Sequence, residues 1–333
     1  RARAAAGGPV PDPGGLTIRV INNVSKRAET KPRFAAAFKG VAPKELPFRQ
    51  KVVMLFQKID GVDVALYCLY LQEYGAECPA PNARWVYLSY LDSVKYFVPE
   101  VSAGPPRDCA LRTLVYHEVL TGYLAYARAH GFTSMFIWAC PPLQVGGRGG
   151  EKSFSFFLSF FELTRPFPPL PSKGDDYILY CHPGRQKTPR SDRLREWYHV
   201  ALRAARAEGS VAHVSSLFDA FFEGGREHAL PAVTAAALPY FEGDYWPGEA
   251  ENVLANVGKG GASGSGGPRA KGGSKAGKRG LPPGATPDEA LMARLGDVIG
   301  GMREDFIVVH LRDPCSHCRC YPEGTYWRWP PPG

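Results

Sequence analysis

Leu111-Arg-Thr-Leu-Val-Tyr-His-Glu-Val-Leu-Thr-Gly-Tyr-Leu-Ala-Tyr-Ala-Arg-Ala-His-Gly-Phe-Thr-Ser-Met-Phe-Ile-Trp-Ala-Cys140 decides how this chain folds. Leu111, Val115, Val119, Leu120, Tyr123 and Leu124 cover more than one face of a helix, so Leu111–His130 reads as a buried helix. Gly131 stands where a C′ glycine stops such a helix. Thr133–Cys140 follows as an apolar run of strand length, and Arg84–Leu91 upstream is aromatic-rich and alternates in part. A strand, a buried helix and a strand in succession call for a sheet with helices packed on it.

Working outward, strand signals recur at Thr17–Asn22, Lys51–Gln57 and Val62–Gln72, with Tyr74–Asn82 as the turn before Arg84. Tyr177–Cys181 reads as a short strand, Ser191–Glu208 as a second helix and Ala212–Phe222 as a third. Thr286-Pro-Asp-Glu289 opens a capped helix, and Asp305–Leu311 is a final buried strand. The expected class is α/β (α+β), a central mixed sheet surrounded by helices.

At 333 residues, with 44% hydrophobic and 12% aromatic side chains, the chain has ample material for a core. No apolar run approaches the length needed to cross a bilayer, and no signal-peptide pattern follows Arg1, so the expectation is a soluble intracellular protein. The net charge is +8; six basic and no acidic residues lie between Val253 and Gly280, a stretch read as a solvated linker or a nucleic-acid or regulatory contact. Residues 1–15 and 250–285 read as disordered, the latter Gly/Lys-rich. Leu143–Lys173 fits neither period; its five phenylalanines within eight residues would be an aggregation hazard if exposed. Its Phe, Ser, Leu and Pro content matches pyrimidine-rich codons, and the expectation is a translated intron end, with a real loop as the alternative.

Four features carry candidate chemistry. Arg112-Thr113 lies at a helix N-terminus, where backbone N–H groups, the dipole and a guanidinium favour an anion. Arg193 and Trp197 share a helix face, suited either to clamping a phosphate and an apolar arm or to a plain Arg–Trp stack. Trp138-Ala-Cys140 ends a buried strand, a place where α/β sheets gather ligands, and Cys140 with His117 or His182 would suit a cysteine hydrolase. Cys315-Ser-His-Cys318 is a knuckle able to put two thiolates on zinc.

Several stretches in order resemble the histone acetyltransferase domain of the CREB-binding-protein family. They include Ile59-Asp-Gly-Val-Asp63, Gln72-Glu-Tyr-Gly75, Tyr87-Leu-Ser-Tyr-Leu-Asp-Ser93 and Leu111-Arg-Thr-Leu-Val-Tyr-His-Glu118. Ile137-Trp-Ala-Cys-Pro-Pro142, Gly174-Asp-Asp-Tyr177, Arg193-Leu-Arg-Glu-Trp-Tyr198 and Leu238-Pro-Tyr-Phe-Glu-Gly-Asp-Tyr-Trp-Pro247 continue it, so that it spans about Leu16 to Leu311. The resemblance implies an acetyltransferase-like core over 16–311 and direct transfer from acetyl-CoA to a lysine amine. It places Leu91, Asp92, Ser93, Arg112, Thr113, Thr188, Arg193 and Trp197 on the CoA site, Tyr198 as general acid and Trp138 by the lysine channel. Gln50 and Glu242 fall on the substrate side, with Asp244, Asp175 and Asp176 adding negative charge for lysine-rich histone tails.

Three departures stand beside it. Residues 143–173 lie where the family has a very short link. Gln50 and Thr188 replace a smaller hydroxyl and an aliphatic residue. The plant members resemble the chain most, since there a zinc finger interrupts the domain after the last strand; Cys315 and Cys318 look like its first ligands, with 312–333 as its truncated start. The expectation is thus a nuclear, plant-type coactivator enzyme using acetyl-CoA, with zinc in the finger. Its partners would be histone tails, other lysine-rich proteins and transcription factors, with no sequence-specific DNA contact and no membrane. The alternative is a catalytically impaired scaffold of the same fold.

Overall fold

The computed structural model describes residues 10–104, 109–139, 191–223, 234–257 and 286–312. Seven strands form one sheet in the order β1-β2-β3-β4-β5-β7-β6. They are β1 (Leu16–Glu29), β2 (Glu45–Ile59), β3 (Val62–Tyr74), β4 (Trp85–Ser93), β5 (Ser134–Trp138), β6 (Val211–Ser216) and β7 (Phe306–Leu311). Every neighbouring pair is antiparallel except β4 and β5, which run parallel. The crossover between those two holds helix α2 (Leu111–Ala129), as the opening stretch of sequence requires. The sheet is therefore mixed, and the expected fold class holds.

Two cores flank the sheet. On one face α2 and α3 (Ser191–Ala207) bury Leu114, Leu120, Leu124, Tyr198 and Leu202 against Leu55, Leu69, Ile137 and Val309. On the other face α5 (Tyr245–Val257) and α6 (Pro287–Gly301) bury Trp246, Leu291 and Ile299, with Phe136, Phe241 and Phe306 in the same core. Alternation along β7 supplies both: Ile307 and Val309 point to the first core, Phe306 and Val308 to the second. Two small helices, α1 (Pro32–Ala37) and α4 (Leu217–Phe221), complete the second layer.

Local signals behave as their chemistry requires. Gly131 has φ +80° just past the His130 cap of α2. Thr286 and Glu289 form a full capping box on α6. One expected helix is corrected: Ala212–Phe222 is β6 followed by the single-turn α4. Val211–Ser216 contains the β-branched pair Val211 and Val214 and adds an edge strand, while Ser216 caps α4 by accepting from the Asp219 amide. Helix α5 runs through Val257, so the start of the 250–285 segment is helical. The 143–173 segment, the Tyr177–Cys181 strand and most of the two termini lie outside the described residues.

Candidate active site

Strands β4 and β5 pair over a short stretch, Trp85–Leu88 against Ser134–Ile137. Beyond Leu88 they part. The cause is visible in the β3–β4 register, where Leu71 faces Leu88 but Tyr70 faces Tyr90, leaving Ser89 as an extra residue on β4. That bulge turns Tyr90–Ser93 along β3 and away from β5, and the Ser89 hydroxyl is buried without a partner. Among the described residues the β4–β5 ladder ends at Leu88 and Ile137, in the middle of the sheet.

The side of the gap facing α2 and α3 is aromatic. Tyr67 stacks on Tyr116 at 4.7 Å, and Trp197 lies 4.5 Å from the His117 ring and 6.5 Å from Tyr67. Tyr198, 4% exposed, sits edge-on to Trp197 in the same core, and Leu91 packs there from β4. Burial pushes the Tyr198 phenol well above its ordinary pKa, so it stays protonated. Arg112 is close enough to the Tyr116 hydroxyl for its charge to oppose the rise that burial causes there. Its Nε is buried with no hydrogen-bond partner, and Ala110, the N-cap of α2, supplies no side-chain cap. A buried guanidinium nitrogen without an acceptor, beside an uncapped helix N-terminus, is chemistry that an anion completes.

The opposite side carries different residues. Trp138, half-buried at the end of β5, lies 5.8 Å from Tyr245 and 6.0 Å from Phe306. Tyr70 and Tyr90 form a cross-strand edge-on pair at 5.7 Å, and Gln50 lies close enough to the Tyr70 hydroxyl to oppose the rise in its pKa that burial causes. Gln50 is 2% exposed, with Oε1 unpartnered. Glu242 neighbours Tyr70; its carbonyl accepts from Gln72 Nε2 at 2.8 Å, while Oε2 is buried without a partner. Desolvation raises the Glu242 pKa against the opposing pull of Lys26. Asp244 does not add surface charge as the sequence suggested. It is 2% exposed, its Oδ1 accepts from the Tyr245 amide at 2.8 Å, and burial lifts its pKa to about 7.

The expected site residues thus divide between the faces. Leu91, Arg112, Trp197 and Tyr198 gather on the α2–α3 side; Trp138, Gln50 and Glu242 lie on the other, with the gap between. Thr113 is half-buried in the first turn of α2, and its amide donates to the Ala110 carbonyl. Arg193 is exposed near the start of α3. Asp92 points away from Leu91, beside Cys68, and Ser93 donates its amide to Asp92 Oδ1 at 2.7 Å. Thr188, Cys140, His182, Asp175, Asp176, Cys315 and Cys318 lie outside the described residues; among those described, no group of three or more metal-ligating side chains occurs. Sequence reasoning missed Tyr70, Tyr90 and Tyr245. A period-2 reading of β3 and β4 puts Tyr70 and Tyr90 on one face, but the Ser89 bulge that pairs them carries no sequence mark.

The mixed sheet thus carries an anion-seeking helix terminus on one face and an aromatic, acidic pocket on the other. A family model described as Histone acetyltransferase domain KAT3 matches residues 9–148 and 160–265, and the chain belongs to that family. The break in the match falls inside 143–173. The chain is 46% identical over 327 residues to Histone acetyltransferase HAC1 of Arabidopsis thaliana, covering 96% of this chain. It is also 46% identical over 320 residues to the probable histone acetyltransferase HAC-like 1 of Oryza sativa subsp. japonica, covering 93%. Identity to protein cbp-1 of Caenorhabditis elegans is 39% over 241 residues, 72% of the chain. These stretches amount to 17%, 17% and 10% of the three relatives, so the chain spans less than a fifth of their length. Among the described residues no helix is long and apolar enough to cross a membrane.

Proposed function

We propose that this chain transfers acetyl groups from acetyl-CoA to lysine side chains of histone tails. The observation that carries the reading is the β4–β5 gap, with the orphaned Arg112 Nε and Tyr198 on one face and Trp138 with the acidic pocket on the other. Acetyl-CoA supplies the activated acyl group and the anionic phosphates. Arg112 and the first turn of α2 bind phosphate, with Arg193 as a second cationic contact. Leu91, on the β4 segment past the end of the β4–β5 ladder, packs beside the cofactor's arm. Trp138, Tyr90 and Tyr70 form an apolar passage in which the incoming lysine loses solvent and its neutral, nucleophilic form gains ground. The amine attacks the thioester carbonyl, the C–S bond breaks, Tyr198 donates its proton to the leaving sulfur, and the proton shed by the amide nitrogen passes through water to restore the Tyr198 phenol. Glu242 and Gln50 hold basic neighbours of the acceptor lysine. Thr188 lies at the cofactor side by resemblance alone.

The test is acetylation of a lysine-rich histone peptide together with acetyl-CoA binding. Tyr198→Phe is expected to lower kcat by about 10²-fold or more with binding retained. Arg112→Gln is expected to weaken acetyl-CoA binding with a smaller effect on kcat. Tight acetyl-CoA binding without turnover in the wild-type chain would instead favour the scaffold reading. The same reading places the protein in the nucleus with transcription factors as partners, and makes Cys315 and Cys318 the first ligands of a zinc finger. Metal content lost in Cys315→Ser with Cys318→Ser tests the finger. The transcript tests 143–173: a messenger lacking that stretch supports a retained intron end.

A further inference from the structure

The charge of the described residues is sharply divided. Between Leu16 and Lys58 the chain has ten lysines and arginines against Glu29 and Glu45 alone, whereas the other described residues carry eleven basic and twenty-two acidic side chains. Most of the excess collects at one corner of the sheet, where β1 ends, α1 turns the chain and β2 returns. Lys39, Lys44 and Arg49 are exposed there and have no acidic partner among the described residues; Arg49 reaches only the Asn23 side chain, at 3.4 Å. Arg27 and Arg33 pair with Glu45 at 2.6 Å and Glu251 at 3.4 Å, yet stay 70% and 60% exposed.

The corner is a fixed platform. The Thr30 amide donates to the Lys44 carbonyl at 2.9 Å, the Lys31 amide to the Tyr240 hydroxyl at 2.9 Å, and the Phe34 amide to the Glu251 carboxylate at 2.9 Å. Between Arg27 and Arg49 runs a shallow groove of about 480 Å³, lined also by Ser25, Pro47 and Glu77. The cations spread over three elements rather than lining one cleft, and Glu77 inside the groove opposes entry of an acidic side chain. A rim of exposed cations suits a polyanion that lies across it. Lys26, which alternates with Arg27 on β1 and so points to the opposite face, is near enough to Glu242 to pull its pKa down; the acidic pocket therefore lies around the β1 edge from Arg27 and Arg49.

We propose that this β1–α1–β2 corner holds the phosphate backbone of duplex DNA, without reading sequence. The choice of DNA among polyanions rests on the histone-tail reading above, because a tail in the acidic pocket brings its wrapped duplex to the neighbouring surface. Lys39, Lys44 and Arg49 supply phosphate contacts, and the duplex crosses the rim at Arg27 without entering the groove.

The test is fluorescence anisotropy of the full chain with two 20-base-pair duplexes of unrelated sequence, in a salt titration without acetyl-CoA. Both duplexes are expected to bind alike and to weaken steeply with salt. Lys39→Glu, Lys44→Glu and Arg49→Gln together should weaken binding at least about tenfold near 0.1 M salt and lower the salt slope by roughly 2 to 3. The variant Lys39→Arg, Lys44→Arg, Arg49→Lys should bind as the wild type does. If the triple variant fails to fold, Lys39→Glu with Lys44→Glu, both at exposed turn positions, should show the same direction. Acetylation of a free histone peptide should be equal in wild type and variant; if it is absent in both, the activity reading fails while the DNA result still stands. Three results overturn the proposal: no duplex binding, duplex binding unchanged in the variants, or a poly-glutamate peptide binding more tightly than the duplex.

Discussion

Asp305 holds both sides of the gap at once: its carboxylate accepts from Arg195 of α3 at 2.5 Å, and its carbonyl accepts from the Ala139 amide at 2.7 Å. Arg195 stands three residues before Tyr198, and Ala139 follows Trp138. One residue therefore sets the spacing between the helix bearing the proposed acid and the strand end bearing the proposed channel wall. Asp192 and Glu304 add to the field around Arg195, but both are largely exposed and contribute little. Asp305→Ala removes the carboxylate and leaves the backbone bond. The expected result is a fall in kcat of about tenfold, since small misplacement of reacting groups is costly, with acetyl-CoA affinity changed by no more than about threefold. Equal losses in both would make Asp305 a general stability residue.

The pH dependence of the proposed transfer should not report Tyr198. Burial holds its phenol protonated well past the ordinary tyrosine range, whereas the acceptor lysine must lose its proton to react. The rate at low peptide concentration should rise with pH and show no descending limb up to about pH 9.5. Tyr198→Phe should lower the whole profile without changing its shape. A descending limb that disappears in that variant would assign a lower-pKa acid to the residue.

Much of this site was legible in sequence, and the limits have physical causes. The β4–α2–β5 unit declared itself, because a buried helix followed by Gly131 and an apolar strand leaves few alternatives. Arg112 and Tyr198 are singled out by motif, but their division from Trp138 across the sheet depends on one unmarked bulge at Ser89. β6 was misread because His213, Ser215 and Ser216 break its apolar run, and its strand state is decided by pairing with β7, a contact distant in sequence. Asp244 reads as a surface acid in Glu242-Gly-Asp244, but it is 2% exposed at the start of α5, where it accepts from the Tyr245 amide.

Beneath α2 lies an ion pair whose cost can be measured. Lys51 Nζ is 2.7 Å from Glu73, donates to the Tyr126 hydroxyl at 3.0 Å, and both charged side chains are under a tenth exposed. Tyr123 donates to the same carboxylate at 2.7 Å. Glu73→Leu alone strands a buried ammonium and should cost about 3–5 kcal/mol by denaturant unfolding. Glu73→Leu combined with Lys51→Met removes both charges and should recover most of that loss. A double variant as unstable as the single one would mean that the pair itself, not the orphaned charge, supplies the stability.

Asp244 makes stability depend on pH in an unusual direction. Its folded pKa of about 7 lies above the ordinary 3.8, because burial disfavours the carboxylate and the Tyr245 amide offsets only part of that. The folded state therefore binds this proton more tightly than the unfolded state does. The contribution of Asp244 is most favourable below about pH 4, declines as pH rises toward 7 and is flat above it. The full effect reaches at most about 4 kcal/mol. Asp244→Asn keeps an oxygen for the Tyr245 amide and removes the titration. Its Tm should exceed that of the wild type by several degrees at pH 8, with the difference shrinking by more than half at pH 5. A difference that stays constant with pH, or that grows toward acid, would show that Asp244 is ionised in the folded protein and paired with a cation.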